Sequence, residues 1–161
     1  NRRSLHFPSS VWSDDEKLVV VDSSNHRVLV FDFPTDDFPE AKRVLGQEGY
    51  VDHLPNAGLT GALDATLSSP RSVDVRPSGQ MAVADAGNNR VLVWNTFPNR
   101  NGQAADQVLG QSSFTSSLPN EGNPSPGAAT LHTPAGVRFN ERNLIVVDKN
   151  NHRVLSFPAN N

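Results

Sequence analysis

Short apolar runs recur along the chain, separated by clusters of Asp, Asn, Ser, Gly and Pro. Leu18-Val-Val-Val21 and Val28-Leu-Val-Phe31 flank a polar turn, as do Met81-Ala-Val-Ala84 with Val91-Leu-Val-Trp94, and Leu144-Ile-Val-Val147 with Val154-Leu-Ser-Phe157. Runs of this length, rich in Val and bounded by turn formers, predict pairs of β-strands joined as hairpins. The turns themselves repeat. Asp22-Ser-Ser-Asn25-His26-Arg27, Asp85-Ala-Gly-Asn88-Asn89-Arg90 and Asp148-Lys-Asn-Asn151-His152-Arg153 are equally spaced, 85 − 22 = 63 and 148 − 85 = 63. A fixed period of this kind marks a repeat architecture. Asp and Asn side chains can bond backbone amides and tolerate left-handed geometry, so Asp22, Asn25, Arg27, Asp85, Asn88, Arg90, Asp148, Asn151 and Arg153 are expected to shape turns. The arginines are expected to bond neighbouring turns.

Around each hairpin the rest of a module can be placed. A Leu-x-x-Pro step opens it, at Leu5–Pro8, Leu67–Pro70 and Leu131–Pro134, and leads into a first strand at Ser10–Trp12, Ser72–Val75 and Gly136–Phe139. A fourth strand is expected at Arg43-Val-Leu-Gly-Gln47 and Gln107-Val-Leu-Gly-Gln111. Four short antiparallel strands make one propeller blade. The predicted fold is therefore all-β, one region over 1–161, with blades near 5–47, 67–111 and 131–157.

Asn25-His26-Arg27-Val28-Leu29 and Asn151-His152-Arg153-Val154-Leu155 resemble the NHL repeat, a β-propeller blade named for Asn-His-Leu. The middle copy has Asn89 where the name has His. The resemblance covers three blades and implies a propeller. It leaves activity open, since NHL propellers include protein-binding scaffolds, RNA binders and a metal-dependent amidating lyase.

The 63-residue period exceeds a four-stranded blade of about 40 to 50 residues, and the surplus falls in inserts 48–66 and 112–130. These repeat as well: Tyr50, Leu54-Pro-Asn56 and Ala65-Thr-Leu67 match Phe114, Leu118-Pro-Asn120 and Ala129-Thr-Leu131. Connections this long serve as binding loops or as cover, in the second case with Leu54 and Leu118 as plugs. Strand direction places the DxxN turns and the inserts at one face and the Ser78-Gly79 type turns at the other. Aromatics outside the strands, Tyr50, Phe114, Phe38 and Phe97, are candidate anchors for a partner or for the loops themselves.

Charge and chemistry narrow the function. Lys and Arg number 14 against 17 Asp and Glu, a net charge of −3, which argues against a broad grip on nucleic acid. With no cysteine there is no thiolate site. No apolar run approaches a membrane span. The acidic runs Asp14-Asp15-Glu16 and Asp36-Asp37 are expected to be solvated loops. His6, His26, His53, His132 and His152 all map to the insert face, and His6, His26, His132 and His152 are the metal candidates. No first strand carries a histidine, and no ligand spacing appears along one element, so neither metal nor other cofactor is expected, and no catalytic residue is assigned.

The expected function is a non-catalytic platform that binds a protein, peptide or glycan through Tyr50, His53, Asn56, Phe114 and Asn120. The alternatives are a metal-dependent lyase or hydrolase using the same histidines, and an RNA-binding domain. The third module ends at Phe157-Pro-Ala-Asn-Asn161 without a fourth strand, and three blades are too few for a ring. The chain, which starts at Asn1 rather than Met, is thus expected to be processed or cut from something longer, or to pair as a homodimer that closes the propeller. The compartment is open, with a secreted or periplasmic setting as the working expectation.

Overall fold

The computed structural model describes residues 1–33 and 39–159, so Asp36-Asp37 and Phe38 lie outside the described residues. Three antiparallel sheets follow one another along the chain. The first contains β1 (Pro8–Ser13), β2 (Lys17–Asp22), β3 (Arg27–Asp32) and β4 (Arg43–Leu45) in that order. The second contains β5 (Ser72–Val75), β6 (Met81–Asp85), β7 (Arg90–Trp94) and β8 (Gln107–Leu109). The third has β9 (Pro134–Phe139), β10 (Asn143–Asp148) and β11 (Arg153–Pro158), without a fourth strand among the described residues. The fold is all-β, arranged as part of a propeller.

The sheets stack face to face, which explains why the middle strands read as continuous apolar runs rather than alternating ones. Val19, Val21, Val28 and Val30 on one face of the first sheet pack against Val73, Val75, Met81, Val83, Leu92 and Trp94 of the second. The second sheet's other face, Ala82, Ala84, Val91 and Val93, packs on Val137, Leu144 and Val146. Both faces of the central sheet are therefore buried. Val20, Leu29 and Phe31, on the other face of the first sheet, form a third cluster with Ala41 and Val44.

Side chains bridge the first strands of successive sheets, β1, β5 and β9. The Val73 amide donates to Ser10 Oγ at 3.5 Å and the Val137 amide to Ser72 Oγ at 3.2 Å. Asp74, buried, accepts the Phe139 amide at 2.6 Å. On the outer rim, residues 101–102 cover the β4 edge: Val44 N–H donates to Asn101 Oδ1 at 3.1 Å and Gly102 N–H to the Val44 carbonyl at 2.9 Å. Covered edges resist strand-to-strand association.

Two expectations are refined. The fourth strands stop at Leu45 and Leu109, because Gly46 and Gly110 turn with φ of +86° and +90° into parallel bridges with Thr66 and Thr130. The buried plugs are Leu67 and Leu131 rather than Leu54 and Leu118. Leu67 and Leu131 are 0% exposed and lie directly against those glycines, whereas Leu54 and Leu118 are 56% and 63% exposed.

Candidate functional site

The face carrying the DxxN turns and the inserts is built from one repeated clamp. After each Asp the chain makes a single 3-10 turn, closed by a left-handed residue: His26, Asn89 and His152 all sit at φ 54°, ψ 40°. Asn and His tolerate that region better than most residues. The turn closes on its own backbone, His26 N–H to the Ser23 carbonyl at 3.1 Å, so the Asp side chain is available for other donors. It binds the Leu-x-x-Pro step rather than amides within the turn. Asp22, Asp85 and Asp148 accept the amides of His6, Ser68 and His132 at 2.6, 2.7 and 2.8 Å.

The second carboxylate oxygen accepts the Asn three positions on and the Arg five positions on. Arg27, Arg90 and Arg153 approach it through Nε at 2.7, 2.8 and 2.8 Å. The guanidinium then reaches the inserts. Arg90 donates to the Leu63 and Thr66 carbonyls at 2.8 and 2.9 Å and to the Phe114 carbonyl. Arg27 repeats this with the carbonyls of Asn1, Ser4 and Tyr50. Burial pushes the Asp85 carboxyl upward, and Arg90, the Ser68 amide and Asn88 pull against it.

The inserts are thereby held as built surface. Asn56-Ala57 and Asn120-Glu121 adopt left-handed backbone, turning each insert back on itself. Asn56 and Asn88 exchange amide hydrogen bonds at 2.8 and 3.3 Å, and Asn120 and Asn151 do the same at 2.8 and 3.2 Å. Each insert is thus locked to the turn of the following blade. Tyr50 lies beneath Arg2, 4.4 Å from ring centre to guanidinium carbon, and its hydroxyl meets Asn101 Oδ1 at 3.3 Å. Phe114 packs on the first core cluster.

The glutamines that open the inserts carry no sequence signal as a site, yet the structure gives them one. Gln47 Nε2 donates to the His26 and Leu54 carbonyls at 3.1 and 2.8 Å, and Gln111 Nε2 to those of Asn89 and Leu118, both at 2.9 Å. These bonds fix the amide orientation. Gln47 Oε1 and Gln111 Oε1 are then left buried with no partner among the described residues. Buried acceptors without a donor are rare in folded proteins.

Each of these glutamines lines a concavity within its insert. The first, about 250 Å³, is lined by Gln47, Glu48, Asp52, His53 and Leu54. The second, about 440 Å³, is lined by Gln111, Ser112, Thr115, Ser116, Leu118 and Glu121. The frame repeats, while the lining changes from acidic with a histidine to hydroxyl-rich. Of the five predicted ligand residues, His53 alone lines either of these two concavities. Phe97 lies at the opposite end of the blades, in a cleft of about 510 Å³ with Trp12, Lys17 and Arg76.

The histidines do not converge on a metal. Among the described residues no three of His, Asp or Glu gather in a metal-holding group. His26 instead joins two blades, its Nδ1 accepting the Ser69 amide of the next one at 2.8 Å. Asn89 Oδ1 does the same for Thr133 at 2.8 Å, which explains Asn in the middle copy. Both residue types supply an acceptor at that point.

Burial lowers the His26 pKa, and nearby His53 adds to the shift. The folded value therefore lies below the unfolded one. The stability this group contributes is complete above about pH 6.5 and falls as acid protonates the unfolded chain first, down through the folded pKa. His26→Asn keeps the acceptor and removes the titration. The variant should lose less Tm than wild type between about pH 7.5 and pH 5. Parallel losses in the two proteins would contradict the assignment.

No family profile and no curated protein matches the sequence. Solved structures do match. An auxiliary nutrient binding protein from Bacteroides thetaiotaomicron VPI-5482 aligns with a TM-score of 0.53 and 19% identity, over 86% of this chain and 34% of its own. A candidate 6-phosphogluconolactonase from Bacteroides uniformis ATCC 8492 aligns at 0.44 and 14%, over 95% and 50%. The computationally designed Ika8 protein aligns at 0.44 and 11%, over 94% and 46%. The chain spans between a third and a half of these structures. At such identities the first likeness is one of fold.

Proposed function

We propose that the chain is part of an NHL-type propeller acting as a non-catalytic scaffold, which binds a protein, peptide or glycan through the concavities of its inserts. The observation that carries this reading is the repeated glutamine: one buried Oε1 without a partner among the described residues in each insert, on a residue that lines the concavity. Because each Oε1 is itself buried, a hydrogen-bond donor from a ligand reaches it only as the lining of the concavity moves aside. Glu48 and Asp52 add acceptors to the first concavity, which favours a basic side chain of a peptide or protein there. Hydroxyl groups and the single carboxylate of Glu121 line the second, which suits a polar hydrogen-bond donor.

Tyr50, Asn56, Phe114 and Asn120 serve this reading as the frame, and His53 as the contact. Changing linings on a constant frame fit recognition better than catalysis. The metal-dependent alternative has no ligand cluster among the described residues. The RNA alternative draws no support from a net charge of −3. The nutrient-binding structure supports the fold alone.

Immobilised peptide and glycan arrays test the proposal. Binders should be enriched in Lys- or Arg-centred peptides, and Asp52→Asn with His53→Ala should weaken them at least tenfold while Tm stays within about 2 °C. The proposal fails if no array member binds, or if binders are indifferent to both insert variants and to Ser116→Ala in the second concavity.

A further inference from the structure

The two inter-blade joints are built alike, so the half-joint on the open side of the third blade can be read against them. In the first two blades the strand after the DxxN turn is paired on its outer edge: Val28, Leu29 and Val30 with Leu45, Val44 and Arg43, and Val91, Leu92 and Val93 with Leu109, Val108 and Gln107. The equivalent residues Val154, Leu155 and Ser156 have a partner strand on one side only among the described residues. Val154 is 62% exposed, where Val28 and Val91 are 0%. Arg27 and Arg90 each donate to a carbonyl of the insert that follows their own blade, that of Tyr50 and of Phe114. Arg153 makes its other bonds, to Asp148, Gly127 and Thr130, but meets no such carbonyl among the described residues. Its side chain is accordingly 25% exposed, against 2% and 0%. His152 holds the place of His26 and Asn89 without a next-blade amide among the described residues.

We infer that the β11 edge is a docking site for an extended segment of this repeat's own type, a Val-Leu-Gly-Gln strand followed by an aromatic insert. It adds antiparallel at Val154–Ser156 and gives a backbone carbonyl to Arg153. Strand addition to an open sheet edge is an established mode of recognition. A second folded copy does not fit this role. Its β4 and β8 are already paired with its β3 and β7, and its first residues match the end of an insert rather than a strand, since Asn1 and Ser4 cap Arg27 as Leu63 and Thr66 cap Arg90. The open side of the first blade makes the same demand. Asn88 and Asn151 each meet an insert Asn, but the Asn25 side chain bonds only Asp22 among the described residues.

A synthetic peptide of residues 107–123 supplies the strand, the Gly-Gln corner, the Phe114 carbonyl and the Leu-Pro-Asn turn. Added to the full chain, it should bind saturably at one to one and slow amide exchange at Val154–Ser156. The same peptide with Leu109→Pro, which removes an amide at a position facing the partner strand, should bind at least tenfold more weakly. Absence of binding, equal binding of the proline peptide, or protection elsewhere with β11 unchanged would overturn the inference. So would self-association of the free chain that protects β11 and excludes the peptide.

Discussion

Arg90→Ala should cost about 3–5 kcal/mol of stability. The side chain is fully buried, as is its partner Asp85. Removing it leaves a buried carboxylate without its counter-charge and deprives the carbonyls of Leu63, Thr66 and Phe114 of their donor. Total stabilities of domains this size are about 5–15 kcal/mol, so a large fraction is lost. Arg153→Ala should cost clearly less, because that guanidinium is part-exposed and makes fewer bonds among the described residues. Urea unfolding of the two variants checks the order. Equal midpoints would mean that the clamp does not organise the central blade.

The second large effect comes from a glycine. At Gly110 the backbone is left-handed, and a Cβ would lie 2.5 Å from Leu131 Cδ1 and 2.8 Å from its Cβ. Leu131 is fully buried and belongs to the core between the second and third blades, so it has little room to yield. Gly110→Ala should therefore destabilise by about 2–4 kcal/mol, combining the unfavourable φ with overpacking. Gly61→Ala meets no atom within 4 Å and should stay within about 0.5 kcal/mol of wild type. The double variant with Leu131→Ala should lose less than the sum of the two single losses, since the two sites share one contact. A neutral Gly110→Ala would mean that the corner after the fourth strand can open to admit a methyl group.

Much of the fold was legible because repetition exposes itself: equal spacing pointed to successive antiparallel sheets, and polar turn residues marked the hairpins. The shared face of turns and inserts followed from strand direction alone. The site was less legible, for reasons tied to particular atoms. Nothing in the letters tells whether Arg27 will reach Asp22, an insert carbonyl or solvent, because the choice depends on how the insert folds back over the turn. That fold-back uses left-handed Ala57 and Glu121, residue types that do not announce such geometry. The exchange of His for Asn at position 89 reads as a departure from the repeat, whereas the structure shows one acceptor role filled by two side chains. Gln47 and Gln111 stood out in sequence only as strand ends. Their unpartnered oxygens emerge once both Nε2 contacts are placed.

If the long connections are built surface, fixed by the Asp–Arg clamp and the paired asparagines rather than loose, their backbone amides should be protected from solvent exchange. Native-state amide exchange reads this directly. The amides of Asn56 and Asn120 donate to the Leu67 and Leu131 carbonyls at 2.9 and 3.0 Å, and those of Leu59 and Asn123 close the turns at 3.0 and 3.1 Å. Protection at these four positions should be comparable to the β6–β7 hairpin, and should be lost together with that hairpin in Arg90→Ala. Exchange at the rate of an unstructured chain, with the hairpin still protected, would contradict the clamp as the organiser of this face.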